Sequence, residues 1–168
     1  MTLLDAPKFD AARERRNQFI FRFSLATLFV LFVGYWLVAG RPVDWPWNWH
    51  HYMMGRMKVN RFLTAVEANE LASAYGIWEN DKNWQQHPQQ YSVYPFARFQ
   101  SDWSSSSPDN EYGIIKSHKI VLAGRYGDGV LVAALINGRK SDALNLAYDA
   151  RSGQLSFSPP GTSLYLGP

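Results

Sequence analysis

Residues 59–78 read VNRFLTAVEANELASAYGIW, and a helical stripe runs through them twice. Val59, Phe62, Leu63 and Val66 stand at i, i+3, i+4 and i+7, and Leu71, Ala74, Tyr75 and Trp78 repeat that spacing. This is the period of a helix that buries one face. The step from Val66 to Leu71 is five residues, so the stripe loses phase. Two short helices are therefore expected, joined near Asn69, a residue type suited to an N-cap.

Downstream, NDKNWQQHPQQYSVY (80–94) is polar and aromatic without a clean period, as in a loop or short hairpin. Pro95 at a first helical position, followed by Phe96, Phe99 and Trp103, predicts a third short helix. SSSSPDNEYG (104–113) ends it as a loop of turn formers. Beyond Gly113 the period changes to that of strands: GIIKSHKIVLAG (113–124), VLVAALIN (130–137), ALNLAYDA (143–150) and QLSFSP (154–159). They are separated by YGDG, GRKSD and RSG, each supplying the glycine or short polar residues of a hairpin turn. The second segment is apolar on both faces and reads as a central strand. In the third, Leu144, Leu146 and Tyr148 alternate with smaller or polar residues, as when one face is more exposed. Helices first and an antiparallel meander second give an α+β domain.

Upstream lies FSLATLFVLFVGYWLVAG (23–40), free of charge, which Phe19, Ile20 and Phe21 extend behind a single Arg22. At about 1.5 Å per residue, 19–40 reaches roughly 33 Å, enough for a hydrocarbon core of about 30 Å. A transmembrane helix over 19–40 is expected, with Arg22 snorkelling to the headgroups at one end and Tyr35 and Trp36 at the other. Trp45, Trp47 and Trp49 follow in DWPWNWHH, at a spacing that suits an interfacial aromatic belt. Pro42 and Pro46 disfavour regular structure over 41–51, so 41–56 reads as a Trp-rich interfacial linker. Its alternating indoles would lie on one side of an extended segment, against lipid headgroups or a partner membrane subunit. A cleaved signal peptide is the rival reading, but the apolar run exceeds an h-region of about 7–15 residues and Pro42 sits just past the candidate bond. With no Cys after the segment, a lipoprotein anchor is excluded.

Lys8, Arg13, Arg15, Arg16 and Arg22 precede the apolar core, whereas Arg41 alone appears in 41–55. The positive-inside rule then places a tail, 1–18, in the cytoplasm and the domain over 57–168 outside, on the periplasmic side of a bacterial membrane. The same split accounts for the formal charge of +3. Residues 1–40 carry five basic against three acidic residues, while 56–168 carry eleven against ten. The folded part therefore lacks the electrostatic footprint of a nucleic-acid surface. A length of 168 residues holds one domain plus an anchor. The charged fraction, 18%, falls below the usual value of about 25%, and the seven Trp lift the aromatic share to 15%, which points to an apolar or interfacial setting. The absence of Cys removes disulfides, Cys-ligated zinc, iron–sulfur clusters and thiol nucleophiles.

The reactive residue types read as ordinary ones. His50 and His51 are adjacent, so regular structure would point their rings apart, and no carboxylate follows at ligand spacing. His87 precedes Pro88 in a polar loop, and His118 lies in a strand between lysines; both fit surface or hydrogen-bonded histidines. Asp102 beside Trp103 is a candidate pocket acid, since burial against an indole raises a carboxyl pKa. Its rival role is a solvated carboxylate near a helix end. Ser104 to Ser107 lack a neighbouring His/Asp arrangement, and YGDG lacks the lysine and helix of a phosphate loop. No cofactor and no metal are expected.

The order of elements, with NRFLTAVEANELASAYGIW, then a short helix carrying Phe and Trp, then four antiparallel strands ending in LSFSP, resembles the nuclear-transport-factor-2-like superfamily. The resemblance covers residues 57–160. It implies a cone of short helices packed on a curved antiparallel sheet around a pocket, which Tyr75, Trp78, Phe99, Trp103 and Val132 would line. Isomerase relatives need a carboxylate base facing a Tyr/acid oxyanion pair, and no residues here are assigned to that set. The layout also resembles an assembly component of type IV secretion systems. The expectation is a noncatalytic membrane-anchored accessory or scaffold subunit, whose partners are the bilayer and other subunits of a membrane complex. The alternatives are a tethered domain that binds or converts a small apolar ligand, and a secretion-system assembly component.

Overall fold

The computed structural model describes residues 10–108, 110–139, 143–159, 162 and 164. The first nine residues of the expected tail, Asp109 of the serine-rich loop, residues 140–142 of the expected GRKSD turn and Pro160 lie outside the described residues. The chain divides into two compact units, Met1–Val38 and Ala39–Pro168.

The first unit is helix α1, Ala11–Val38. Asp10 caps it: Oδ1 accepts the N–H of Ala12 at 3.0 Å and of Arg13 at 3.1 Å, which satisfies donors that a helix start leaves unpaired. The helix therefore begins inside the segment expected as a tail. Its 28 residues rise about 42 Å, and none is buried. Among the described residues it is the one helix long and apolar enough to cross a membrane.

The second unit opens with a correction to the expected linker. A 3-10 turn forms over Pro46–Asn48, and helix α2 runs from Trp49 to Glu67. Asp44 organises this start: its carboxylate accepts from the Trp45 N–H at 2.7 Å and from Asn48 Nδ2 and the Tyr52 hydroxyl at 3.2 Å each. The Asp44 carbonyl accepts from Trp49 Nε1 at 2.9 Å. Pro46 takes the first position of the turn, where a missing N–H costs nothing. The expected extended row of indoles is consequently split. Trp45 and Trp47 stack at 4.9 Å and stay exposed, while Trp49 and Tyr52 are buried.

Helix α3, Leu71–Trp78, follows as the phase break required. Asn69 is not its N-cap, however. With φ at +58° it closes α2: its N–H reaches the Val66 carbonyl at 2.9 Å, and that of Glu70 reaches Ala65 at 2.8 Å, the paired bonds of a Schellman ending. Asn80, also at φ +58°, ends α3 in the same way through Ile77 and Gly76. Short 3-10 turns occupy Trp84–Gln86 and Pro88–Tyr91, and helix α4 covers Phe96–Trp103, with Pro95 as its extended N-cap and not, as expected, its first helical residue.

Strands β1 (His118–Tyr126), β2 (Gly129–Ile136), β3 (Ala143–Tyr148) and β4 (Leu155–Phe157) form one antiparallel sheet in sequence order. The register of β1 against β2 slips between Ile120 and Leu122, a bulge. Gly129 is required by close approach, since a Cβ there would run into the carbonyl of Tyr148. Val130, Val132, Ala134 and Ile136 of β2 join Leu144 and Leu146 of β3 in the core with α2, α3 and α4. On the other face, Leu131 and Ala133 are also buried, and the Leu164 side chain lies over Gly124. The domain is α+β, with the helices ahead of the sheet in sequence and packed on the face that carries Val130, Val132, Ala134 and Ile136.

Candidate binding groove

The five residues expected around a pocket do meet. Tyr75, Trp78, Phe99, Trp103 and Val132 are all buried, but they meet as packed core. Phe99 lies 5.1 Å from Tyr75, 6.0 Å from Trp78 and 6.1 Å from Trp103 between ring centroids, and Phe62 wedges among them, 4.8 Å from Trp103. Such tilted and edge-to-face contacts fill space as a core does. The Tyr75 hydroxyl donates to the Tyr94 carbonyl at 2.6 Å, and burial first, then Glu79 and Tyr91, push its pKa up to about 12. Trp103 also borders a hollow of about 380 Å³ beside Asp102, Tyr112, Asn145 and Ser158.

A larger groove opens elsewhere, on the side of α2 turned away from the sheet. It holds about 600 Å³, within the range of about 300–1,000 Å³ typical of small-ligand sites. One wall is Met54, Met57, Lys58 and Arg61 of α2; the floor is Ala72, Ser73, Gly76 and Ile77 of α3; the other wall is Lys82, Trp84 and Gln85. The chain after α3 folds back closely over this floor: a Cβ on Gly76 would lie 3.0 Å from the Asp81 carbonyl oxygen and in ordinary contact with Trp84 Cδ1 at 3.4 Å. Trp84 is fixed on both sides. Its Nε1 donates to the Ala72 carbonyl at 3.1 Å, and its ring packs on Tyr75 at 4.8 Å and Phe96 at 4.7 Å.

The groove is basic. Lys58, Arg61 and Lys82 line it and no carboxylate does. Among the described residues no acid pairs with any of the three within 4.0 Å. The Lys58 ammonium donates to Asn80 Oδ1 at 2.7 Å, and Asn80 Nδ2 passes on to the Ser152 carbonyl at 2.9 Å. Burial beside a neutral amide brings the Lys58 pKa down to about 8.

The other singled-out groups are engaged in holding the fold. His118 bridges α2 and β1, with Nδ1 at 2.7 Å from Glu67 Oε1 and Nε2 at 3.0 Å from Asn60 Oδ1. Asp102 accepts from the Tyr94 hydroxyl at 2.8 Å and pairs with Arg98 Nε at 3.1 Å. His87 approaches Asp81 at 3.3 Å, and the same carboxylate accepts from the Tyr91 hydroxyl at 2.7 Å. The rings of His50 and His51 do not diverge as expected. His50 Nδ1 turns back to the Trp47 carbonyl at 2.7 Å at the start of α2, which leaves the two centroids 3.7 Å apart. Among the described residues, no three His, Cys, Asp or Glu cluster to hold a metal ion. Of the expected interface residues, Arg22 is exposed within α1, Tyr35 and Trp36 lie in its last turn, Trp45 and Trp47 are exposed, and Trp49 is in the domain interior.

Sequence reasoning passed over the groove: Met54 fell in the expected linker, 41–56, and Met57, Lys58 and Arg61, within the expected domain, were not read as a face. The signal was nonetheless present: Met54, Met57, Lys58 and Arg61 repeat the i, i+3, i+4, i+7 spacing of the core stripe. No protein-family model, no curated protein and no solved structure matches the chain.

Proposed function

We propose that this chain is a noncatalytic, single-pass membrane subunit that holds its α+β domain on the periplasmic face as a docking platform for other components of a membrane complex. The observation that carries this reading is the combination of a long apolar helix with a domain whose interior is closed by its own aromatic side chains. The groups of a type suited to acid–base chemistry, His118, Asp102 and Asp81, are bound within the fold instead. The excess of basic residues before the span supports a cytoplasmic N-terminus. The order of three helices before a four-stranded meander supports the nuclear-transport-factor-2-like reading of the domain. In that superfamily, as in other widely used folds, activity has to be argued from the site.

Affinity purification of the full-length chain from membranes in mild detergent tests this. Stoichiometric partners are expected to remain bound, and the chain is expected to stay in the pellet of an alkaline carbonate wash. Recovery as a clean monomer, or release of a soluble product that begins near Arg41, would overturn it.

A further inference from the structure

The groove between α2 and α3 combines three properties. Its apolar lining includes Met54 and Met57, which are 47% and 43% exposed although both lie in a helix with a core-facing side. Its cations come from both walls, Lys58 and Arg61 on α2 and Lys82 opposite, without a lining acid. One of them, Lys58, is partly withdrawn from water with only a neutral amide for a partner. An anion entering there would satisfy a charge that the fold leaves uncompensated.

From this geometry we propose that the groove binds a fatty acid, with its carboxylate among Lys58, Arg61 and Lys82 and its acyl chain against Met54, Met57, Ile77 and Trp84. Size favours a single chain over a protein segment. An acyl chain can lie within a groove of about 600 Å³, whereas a partner helix about 10 Å across would stand largely outside it. Hydrogen bonding agrees. The floor is the side of a helix whose backbone groups are already paired, so the groove offers an extended peptide no strand edge. Met is the apolar side chain best able to adapt to a flexible chain. Anchoring by α1, as proposed above, would keep the groove close to a source of such amphiphiles, but the site itself rests on residues of the domain alone.

The test uses the full-length chain in phosphatidylcholine nanodiscs and a palmitate analogue that carries a photoactivatable diazirine near the end of its chain. Mass spectrometry is expected to place adducts on peptides that contain Met54–Arg61 or Ala72–Gln85. Excess palmitate should suppress them at least tenfold and hexadecanol should not. The double variant Lys58→Glu/Arg61→Glu should lose labelling tenfold or more, while Lys119→Glu, an exposed change on β1, should keep it. Should the double variant misfold by circular dichroism, Ser73→Trp, which fills the floor and keeps every cation, decides instead and should also abolish labelling. Adducts confined to α1, equal competition by hexadecanol, or an equal loss in Lys119→Glu would overturn the proposal, as would displacement of the groove adducts by an acidic amphipathic peptide but not by palmitate. Partners that still co-purify with a variant unable to take the label would separate failure of this site from failure of the subunit reading.

Discussion

Helix α2 has two faces written in the same spacing and put to different ends. Val59, Phe62, Leu63 and Val66 face the domain core and are buried, the first three with no exposed surface. Met54, Met57, Lys58 and Arg61 lie roughly 140° around the helix, at about 100° per residue, and line the open groove. Periodicity therefore marks that a face will be covered, while residue type indicates by what. A wholly aliphatic and aromatic face is covered by the chain itself. A face of Met and cations is half covered, and the cations define the chemistry of anything that completes it.

The sharpest way to break this contrast is to cut the same helix on each side. Phe62 touches Trp78, Phe99 and Trp103 at centroid distances of 5.3, 6.1 and 4.8 Å, so Phe62→Ala should cost about 3–5 kcal/mol. Met57→Ala, on the groove side, should cost less than about 1 kcal/mol. Urea unfolding of the full-length chain in mild detergent, followed by tryptophan fluorescence, measures both. Equal losses would mean that the groove face is structural.

The sheet beneath the inner face should be almost as intolerant. Because a Cβ at Gly129 would meet the Tyr148 carbonyl, Gly129→Ala has to displace the start of β2 from β3, at a cost of about 1–3 kcal/mol. The same urea titration reads this, and a neutral outcome would mean that the start of β2 is held more loosely against β3 than the register implies. At the far end of α2, Glu67→Ala takes the Nδ1 partner from a His118 side chain that is only 8% exposed and leaves it Asn60 alone. A loss of about 1–2 kcal/mol is expected, together with faster amide exchange in the last turn of the helix. Unchanged exchange there would show that His118 does not clamp α2 to β1.

How far these regions were legible beforehand follows from the same residues. The stripes over 59–78, the Pro95 start and the four strand segments were plain because burial imposes a period of 3.6 or 2 on the chain. The helix boundaries were less so. Asp10 and Asp44 begin their elements through side-chain bonds that depend on backbone geometry, and Asn69 has the same composition whether it starts one helix or ends another. For the expected pocket residues, sequence identified which side chains would gather but not whether they would enclose space. That depends on ring orientation, as in the near-perpendicular packing of Phe62 on Trp103 at 86°. The groove escaped notice for a further reason: no pattern along a chain records that the cations of one segment will face a distant segment without an acid between them.

The smallest effect expected is also the one most specific to the groove face. An unfolded chain keeps a proton on Lys58 up to its ordinary 10.5, whereas the folded chain holds it only to about 8. Between those values unfolding takes up a proton, so the contribution of Lys58 to stability rises as pH climbs through the window. At pH 7 the charged, partly buried side chain is a net cost. Lys58→Met should therefore raise the urea midpoint modestly at pH 7, and the gap between variant and wild type should narrow from about pH 8 to pH 10.5. Taking the difference removes tyrosines and other groups common to both chains. A gap that is constant across that window would show Lys58 to be fully solvated. A gap at pH 7 that closes when palmitate is added would show the cation meeting the anion that the fold does not provide.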